Sequence, residues 1–532
     1  MTTSAETVDA VVIGAGPNGL VAANLLADAG WQVLVLEAGE EPGGAVRTGE
    51  HVAPGFRHDL FSSFYPLGAA SPILRGLELD RYGLVWSYAP DVLAHVLPDD
   101  RCVVLSRELD RTAASVASFA STDGDAWRAE VHDWHRVRDR LLDALFTPFP
   151  PVRAATRLVR TLGAAGSLRL ARMVTMPATT YGAERFTGDG ARLLLAGNAL
   201  HSDLGPGEAG SAVFGWLLSM LGQDEGFPVP RGGAGALTAA LVRRLTERGG
   251  RVACGRSVTK VLVAGGQAMG VADQDGNLVR AGRAVLATVP APVLYRDLVG
   301  ERHLPSRFVT ALKGFQWDDA TIKVDWALSR PIPWRNPEAS GAGTVHLGGD
   351  LAGLAEFGAA LATDRLPDNP FLLLGQMSTA DPTRSPAGTE SAWAYTHVPH
   401  GRVRSRDDLL RIADHLQRIV GNHAPGFADT IIGRHVAGPV DLERQNPNLV
   451  GGAVNGGTSA IHQQLVFRPV PGLGRADTPI DRLYLAGASA HPGGAVHGGP
   501  GANAAKAALA RDGLAGAGYA ALIRTLHRNL YR

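Results

Sequence analysis

The chain has 532 residues, with 51 Lys+Arg against 51 Asp+Glu, 45% hydrophobic and 19% charged residues. It is too long for one core, too apolar for a disordered chain, and its zero net charge offers no basic footprint for nucleic acid. Its two cysteines, Cys102 and Cys254, exclude a disulfide framework and any Cys-x-x-Cys site and fit a reducing cytosol.

The opening MTTSAETVDA lacks the basic start and apolar stretch of a signal peptide. No uncharged apolar run reaches the ~20 residues of a membrane span, so a cytoplasmic location is expected. Ala10, Val11, Val12 and Ile13 then read as a short buried parallel strand. Gly14, Gly16 and Gly19 follow as G-x-G-x-x-G, residues 20–29 read as a helix stopped by Gly30, and residues 32–36 form a second strand ending at Glu37. This order is the dinucleotide-binding βαβ unit. Gly14 allows the tight turn, Gly16 clears a path for pyrophosphate to the backbone, and Gly19 lets helix and strand pack closely. The helix N-terminus favours the phosphates, and Glu37 accepts from an adenosine ribose. Pro17, Asn18 and Ala38 complete this cofactor-facing set.

The run continues Pro42-Gly43-Gly44-Ala45-Val46-Arg47. A glycine pair so soon after the acid permits a second close backbone approach. Gly43, Gly44, Ala45, Val46 and Arg47 are therefore expected at the cofactor, with Arg47 near the phosphates or the flavin. His58 and Asp59 follow closely and are expected nearby.

Two blocks interrupt this nucleotide fold. The first, residues 88–227, begins with strands and becomes helical. Within it, residues 137–176 alternate arginines (Arg138, Arg140, Arg153, Arg157) with apolar side chains such as Leu141, Phe146 and Leu158. Two solvated helices over a core are the preferred reading, since Arg is a good helix former. The competing one is a peripheral segment on an anionic bilayer. Further on, His201, Asp203 and Glu208 form a polar island between apolar runs. Either His201 or Asp203 suits a general base, against a reading of loop capping.

Gly232, Gly233 and Gly235 open a helix, but no apolar strand precedes them, so they do not form a second nucleotide fold. Residues 252–289 alternate short apolar runs with turns and read as strands, with Asp275-Gly276 as a hairpin turn. The second block, residues 306–433, holds the strand candidates ATIKVDWAL and FLLLGQMS and a helix over 407–419. The expected division gives residues 1–87, 228–305 and 434–532 to a cofactor domain, and 88–227 and 306–433 to a discontinuous α+β substrate domain. Near the end, a strand over 483–486 meets a helix over 502–510 through a glycine-rich loop. Gly487, Ala488, Gly494, Ala495 and Val496 are expected beside the cofactor, with His491 and His497 lining its face. A helix N-terminus aimed there stabilises a reduced, negatively charged ring.

The first fingerprint, the glycine pair and AGASAHPGGAVHGGPG together resemble the phytoene-desaturase-like FAD oxidoreductases. HVLPDDRCVVLSRELDRTAASVASFASTDGDAW, HSDLGPGEAGSAVFGWLL and DLERQNPNLVGGAVNGG are similar to its pyridine nucleotide-disulfide oxidoreductase domain-containing protein 2 branch. The resemblance covers most of the chain. It implies an α/β fold with a Rossmann-type FAD domain of the glutathione-reductase/amine-oxidase kind. It also implies that FAD is the cofactor, that the Val258 backbone lies against the adenine, and that residues 232–235 stand beside the FAD. Ala45 occupies the position after the glycine pair where the family has Arg, so that Arg's role does not pass directly to Arg47. Disulfide reductases need a redox cysteine pair, which is absent here. Electrons are therefore expected to leave to oxygen or a quinone. The expected activity is dehydrogenation or isomerisation of a hydrophobic, polyene- or lipid-like substrate. An amine oxidase and a non-catalytic FAD-stabilised interaction protein are the alternatives. No metal-ligand spacing and no G-x-S-x-G elbow occur, and the oligomeric state is left open.

Overall fold

The computed structural model describes residues 6–532; the expectation for the first five residues lies outside them. Strand Glu6–Ile13 is β-branched and buried along its second half. It pairs in parallel with Val33–Leu36 on one side and Leu278–Ala287 on the other. The sheet runs 258–264, 267–273, 278–287, 6–13, 33–36, 251–253. Strand Leu483–Leu485 joins it by pairing in parallel with Val285, Leu286 and Ala287. The last strand of the chain is thus brought one strand away from the first. Gly276 takes a left-handed φ of +79° in the turn between two antiparallel strands.

Helices Pro17–Asp28, Gly235–Glu247 and Gly499–Asp512 cover one face of this sheet. Their Leu20, Leu26, Leu237, Leu241, Ala502 and Ala505 form one core with the strand residues Val12 and Val35. The first and last of these helices start at glycine-rich turns beside one crevice. The expectation for residues 232–235 is not met: they do not line that crevice, and the N–H groups of Ala234 and Gly235 are taken by Asp59 and Thr48 at 2.8 and 3.0 Å.

The second sheet draws on both inserted blocks. Its order is 431–437, 320–328, 390–398, 372–376, 342–347, 91–96, 102–105. Only the pairing of 342–347 with 91–96 is parallel. The boundary expected after residue 433 falls inside strand Ile431–Ala437. One face of the sheet presents Ile322, Val324 and Trp326 to helix Arg406–His423, through Leu416 and Val420. The opposite face presents Leu373 and Trp393 to a helical layer that includes Leu193, Leu194 and Trp216.

The basic stretch 137–176 divides between two helices. Asp123–Phe146 is anchored by the fully buried Trp127 and Trp134, whose indole N–H groups donate to Gln223 and Asp224 at 2.9 and 3.0 Å. Val152–Thr175 buries Leu158 and Met173 but leaves Val152, Val159 and Leu168 exposed. Among the described residues, no helix is long and apolar enough to cross a membrane.

Candidate functional site

The three fingerprint glycines answer three different constraints. Gly14 has a φ of +95°, and a Cβ there would lie 2.3 Å from Thr288 Oγ1. A Cβ on Gly19 would lie 2.0 Å from Gly14 O, so helix and strand touch main chain to main chain. Gly16 is different: a Cβ there would meet only Gly44 Cα, at 3.9 Å, and the residue faces a cavity. Its missing side chain serves whatever fills that space. No side chain caps the helix that follows, so its first-turn N–H groups remain for an anion.

Glu37 and Ala38 line the same cavity. The Glu37 carboxylate is fixed in place by N–H groups of Ala15 and Gly39, at 2.7 and 2.8 Å. Val258 and Asn18 also line it, and Asn18 Oδ1 is buried without a partner. Gly44 turns back on Gly16 so closely that a Cβ on Gly44 would stand 3.1 Å from Gly16 Cα. Gly44 and Ala45 reach the cavity, whereas Gly43, Val46 and Arg47 lie behind it. Arg47 Nε donates to Gly44 O at 3.0 Å and its Nη2 to Gln445 O at 2.8 Å. It ties the glycine turn to a C-terminal segment.

The far end of the chain closes the cradle. Ala488, Gly494, Ala495, Val496 and His497 line the cavity. Gly487 stands behind it, where a Cβ would lie 2.3 Å from Thr288 O. His497 Nε2 donates to Gly494 O at 2.8 Å, and burial pulls its pKa down to about 4. His491, His58 and Asp59 do not line the cavity. His58 donates to Trp326 O at 3.0 Å. Asp59 forms a fully buried ion pair with Arg384 and accepts from the Ala234 N–H at 2.8 Å. These residues fasten the two sheets together.

The cavity, about 620 Å3, runs from the fingerprint to the polar-looking face of the second sheet. There the walls are Phe64, Leu145, Phe214, Leu217, Phe227 and Leu373. His201 lines it too, and its Nε2 lies 2.8 Å from His346 Nε2. Burial pulls the His201 pKa down to about 3 and holds His346 well below the usual imidazole range. Asp203 points elsewhere: it accepts from the Ser459 N–H at 2.7 Å and from the Thr458 hydroxyl. Glu208 accepts from the Gly205 N–H at 3.2 Å. The structure thus brings His201, but not Asp203, to the cavity.

Sequence reasoning did not single out Lys323, Trp393, Tyr395 or Arg468. Lys323 lines the cavity beside Trp393 and Tyr395, two rings stacked at 5.7 Å and 15° on one strand. Its ammonium donates to Asp59 O at 3.0 Å and pairs with Asp325. Arg468 lies under the cavity, 2% exposed, and donates to carbonyls of Asn455, Gly456, Gly457, Thr458 and Ala488. Among the described residues, His51, Asp325 and His435 come within metal-ligand reach of one another. The Asp325 carboxylate is already engaged by Lys323 and by His51 at 3.2 Å.

A two-sheet molecule with a glycine-lined dinucleotide crevice opening onto a second-sheet chamber defines a flavin-type oxidoreductase. The description "NAD(P)-binding Rossmann-like domain" matches residues 12–77. Pyridine nucleotide-disulfide oxidoreductase domain-containing protein 2 of Mus musculus is 30% identical, over 93% of this chain and 92% of its own. The chain belongs to that family. A lycopene-forming phytoene desaturase of Pantoea ananas is 24% identical over 94% of this chain and 99% of its own. Cyclohexylamine oxidase of Brevibacterium oxydans superposes with a TM-score of 0.56 at 18% identity, over 99% of this chain and 100% of its own. The chain is an FAD-dependent oxidoreductase. The residues present fit FAD: Gly16 leaves the space a Cβ would fill, Glu37 stands at the second strand end, and Asn18 Oδ1 waits unpaired.

Proposed function

We propose that this enzyme dehydrogenates a largely hydrophobic small molecule. The observation that carries the reading is the chamber itself. It is walled by Phe and Leu side chains, and its acidic lining residue is Glu37, at the nucleotide end. FAD, when bound, supplies the acceptor for the hydride. The chain's own residues exclude water, hold the substrate and receive the proton. His201 is neutral across the physiological range, lines the chamber, and its Nδ1 has no protein partner. Its position supports His201 as the group that passes the proton on, while a pKa of about 3 keeps it from retaining that proton at neutral pH. Gly16, Gly44, Glu37, Val258 and the 494–496 turn hold the nucleotide. Oxygen or a quinone takes the electrons afterwards.

The amine-oxidase reading draws support from the fold of cyclohexylamine oxidase. Two features of this chamber argue against it. Trp393 and Tyr395 stack on each other rather than flanking a gap, and the charged side chain there, Lys323, is a donor with no acceptor for an ammonium, its one carboxylate partner Asp325 being already engaged. The exposed Val152, Val159 and Leu168, set among Arg153, Arg157, Arg160 and Arg169, support peripheral contact with an anionic membrane. Flotation with anionic liposomes tests that contact, and absence of the protein from the floated fraction removes it.

Anaerobic mixing of FAD-loaded enzyme with candidate substrates tests the function. A dehydrogenase bleaches the flavin band near ~450 nm. An interaction protein leaves it unchanged with every candidate.

A further inference from the structure

Lys323 sits in an unusual place for a lysine. It is on the central strand Ala320–Leu328, only 3% exposed, and its side chain borders the apolar chamber. An ammonium has three protons to donate. Asp59 O, at 3.0 Å, takes one and Asp325 Oδ1 takes another. The third has no partner in the protein. The Nζ lies 6.0 Å from the ring centre of Trp393, itself a chamber residue.

Three hydroxyls share this condition. Ser63, Thr321 and Thr344 all line the chamber, at 4%, 6% and 1% exposure. The Oγ of Ser63 and the Oγ1 atoms of Thr321 and Thr344 are buried without a hydrogen-bond partner. Buried polar groups are normally paired, and four unpaired donors around one chamber point to its occupant. A pure hydrocarbon would displace their water and give nothing back. An ammonium would meet Lys323 with no carboxylate to receive it, because Glu37 is held at the other end by Ala15 and Gly39.

We infer that the substrate is an apolar molecule carrying a carbonyl oxygen, which accepts the free Lys323 N–H on the strand face that also presents Thr321 to the chamber. The inference rests on the reading of this cavity as a substrate chamber. Asp325 offsets the lysine's charge, so the site selects for a hydrogen-bond acceptor rather than for net negative charge. A hydrophobic pocket that must also satisfy a buried donor discriminates sharply against analogues lacking the acceptor.

The test uses FAD-loaded full-length protein and three probes of matched length: 2-octanone, octane and octylamine. Binding is read by calorimetry and by perturbation of the flavin spectrum. The ketone should bind about ten-fold or more tightly than either of the others. Lys323→Met combined with Asp325→Leu removes both charges together, which avoids stranding a buried carboxylate, and should erase the preference. Thr321→Val, nearly isosteric, should weaken ketone binding and leave octane binding unchanged. Octane binding as tightly as the ketone overturns the inference, as does a preference that survives both variants. Tightest binding of octylamine overturns it in favour of an amine substrate. FAD content, measured on the same samples, separates the two levels: protein that holds no FAD contradicts the cofactor reading, whereas FAD-loaded protein without ketone preference contradicts only this inference.

Discussion

His201 Nε2 lies 2.8 Å from His346 Nε2, so a half-buried ring and a fully buried one share one proton between them. If that proton sits on His201, its Nδ1 offers a lone pair to the chamber; if it sits on His346, the same atom offers a donor. His346 is therefore a positioning residue for His201. His346→Asn should slow substrate-driven flavin reduction by about ten-fold or more without changing FAD content. His201→Asn should slow it further, by roughly a hundred-fold. Asp203→Asn, which disturbs only the hydrogen bonds to Thr458 and Ser459, should cost about 1–3 kcal/mol in stability and affect the rate far less. Stopped-flow reduction alongside thermal unfolding distinguishes the three.

Burial sets the acid sensitivity of the fold. His95, His397, His491, His497 and His527 have pKa values pulled down to about 4 by desolvation, and His201 to about 3. Above their ordinary value of 6.5, neither folded nor unfolded chain binds these protons. As the pH falls from 6.5 towards 4, only the unfolded chain binds them, so stability is lost. Four acids oppose this: desolvation raises Glu390 to about 7 and Asp319 to about 8, and pushes Asp318 and Glu208 upward as well, so their protonation favours the folded state as pH falls. The histidines outnumber the acids, and each contributes about 1.4 kcal/mol per pH unit. The unfolding temperature should therefore drop from about pH 7.5 to about pH 5. Thermal unfolding followed by circular dichroism checks it, and a rise over that interval is the contrary result.

Arg468 holds one loop of the cradle from beneath by donating to five carbonyls. Arg468→Met removes all of these bonds and leaves the carbonyls buried. It should cost about 3–5 kcal/mol in stability, as breaking a buried charged network does. FAD affinity should fall with it, because Asn455, Gly456 and Ala488 line the cavity. Denaturant unfolding and FAD titration on the same variant measure both. Unchanged stability would show that the loop holds itself.

Both ends of the nucleotide fold were legible because their signals are local. A short apolar strand, a glycine turn and a small-residue helix recur at residues 10–29 and 483–510, and the helices formed are Pro17–Asp28 and Gly499–Asp512. The strand candidate ATIKVDWAL is the observed strand Ala320–Leu328. Its most informative residue was hidden by its own pattern. Thr321, Lys323 and Asp325 alternate with Ile322, Val324 and Trp326, which ordinarily marks a solvent-facing polar edge. Here the polar face turns inward, Thr321 and Lys323 onto the cavity and Asp325 onto Lys323 and His51, and only the packing of two distant insertions makes it so. Arg468 was equally invisible, since an arginine among loop residues reads as surface until the carbonyls that surround it are folded into place. The His201–His346 contact joins residues 145 positions apart, a separation that no local pattern encodes.

The most direct measurement is FAD stoichiometry in wild type and in Gly16→Ala. A Cβ on Gly16 meets only Gly44 Cα, at 3.9 Å, so the variant should fold with nearly wild-type stability while its methyl occupies the space left for the pyrophosphate. Equilibrium dialysis with excess FAD should give one flavin per wild-type chain and a large loss in Gly16→Ala. A wild-type protein that binds no FAD, or a Gly16→Ala protein that binds it equally well, would contradict the account.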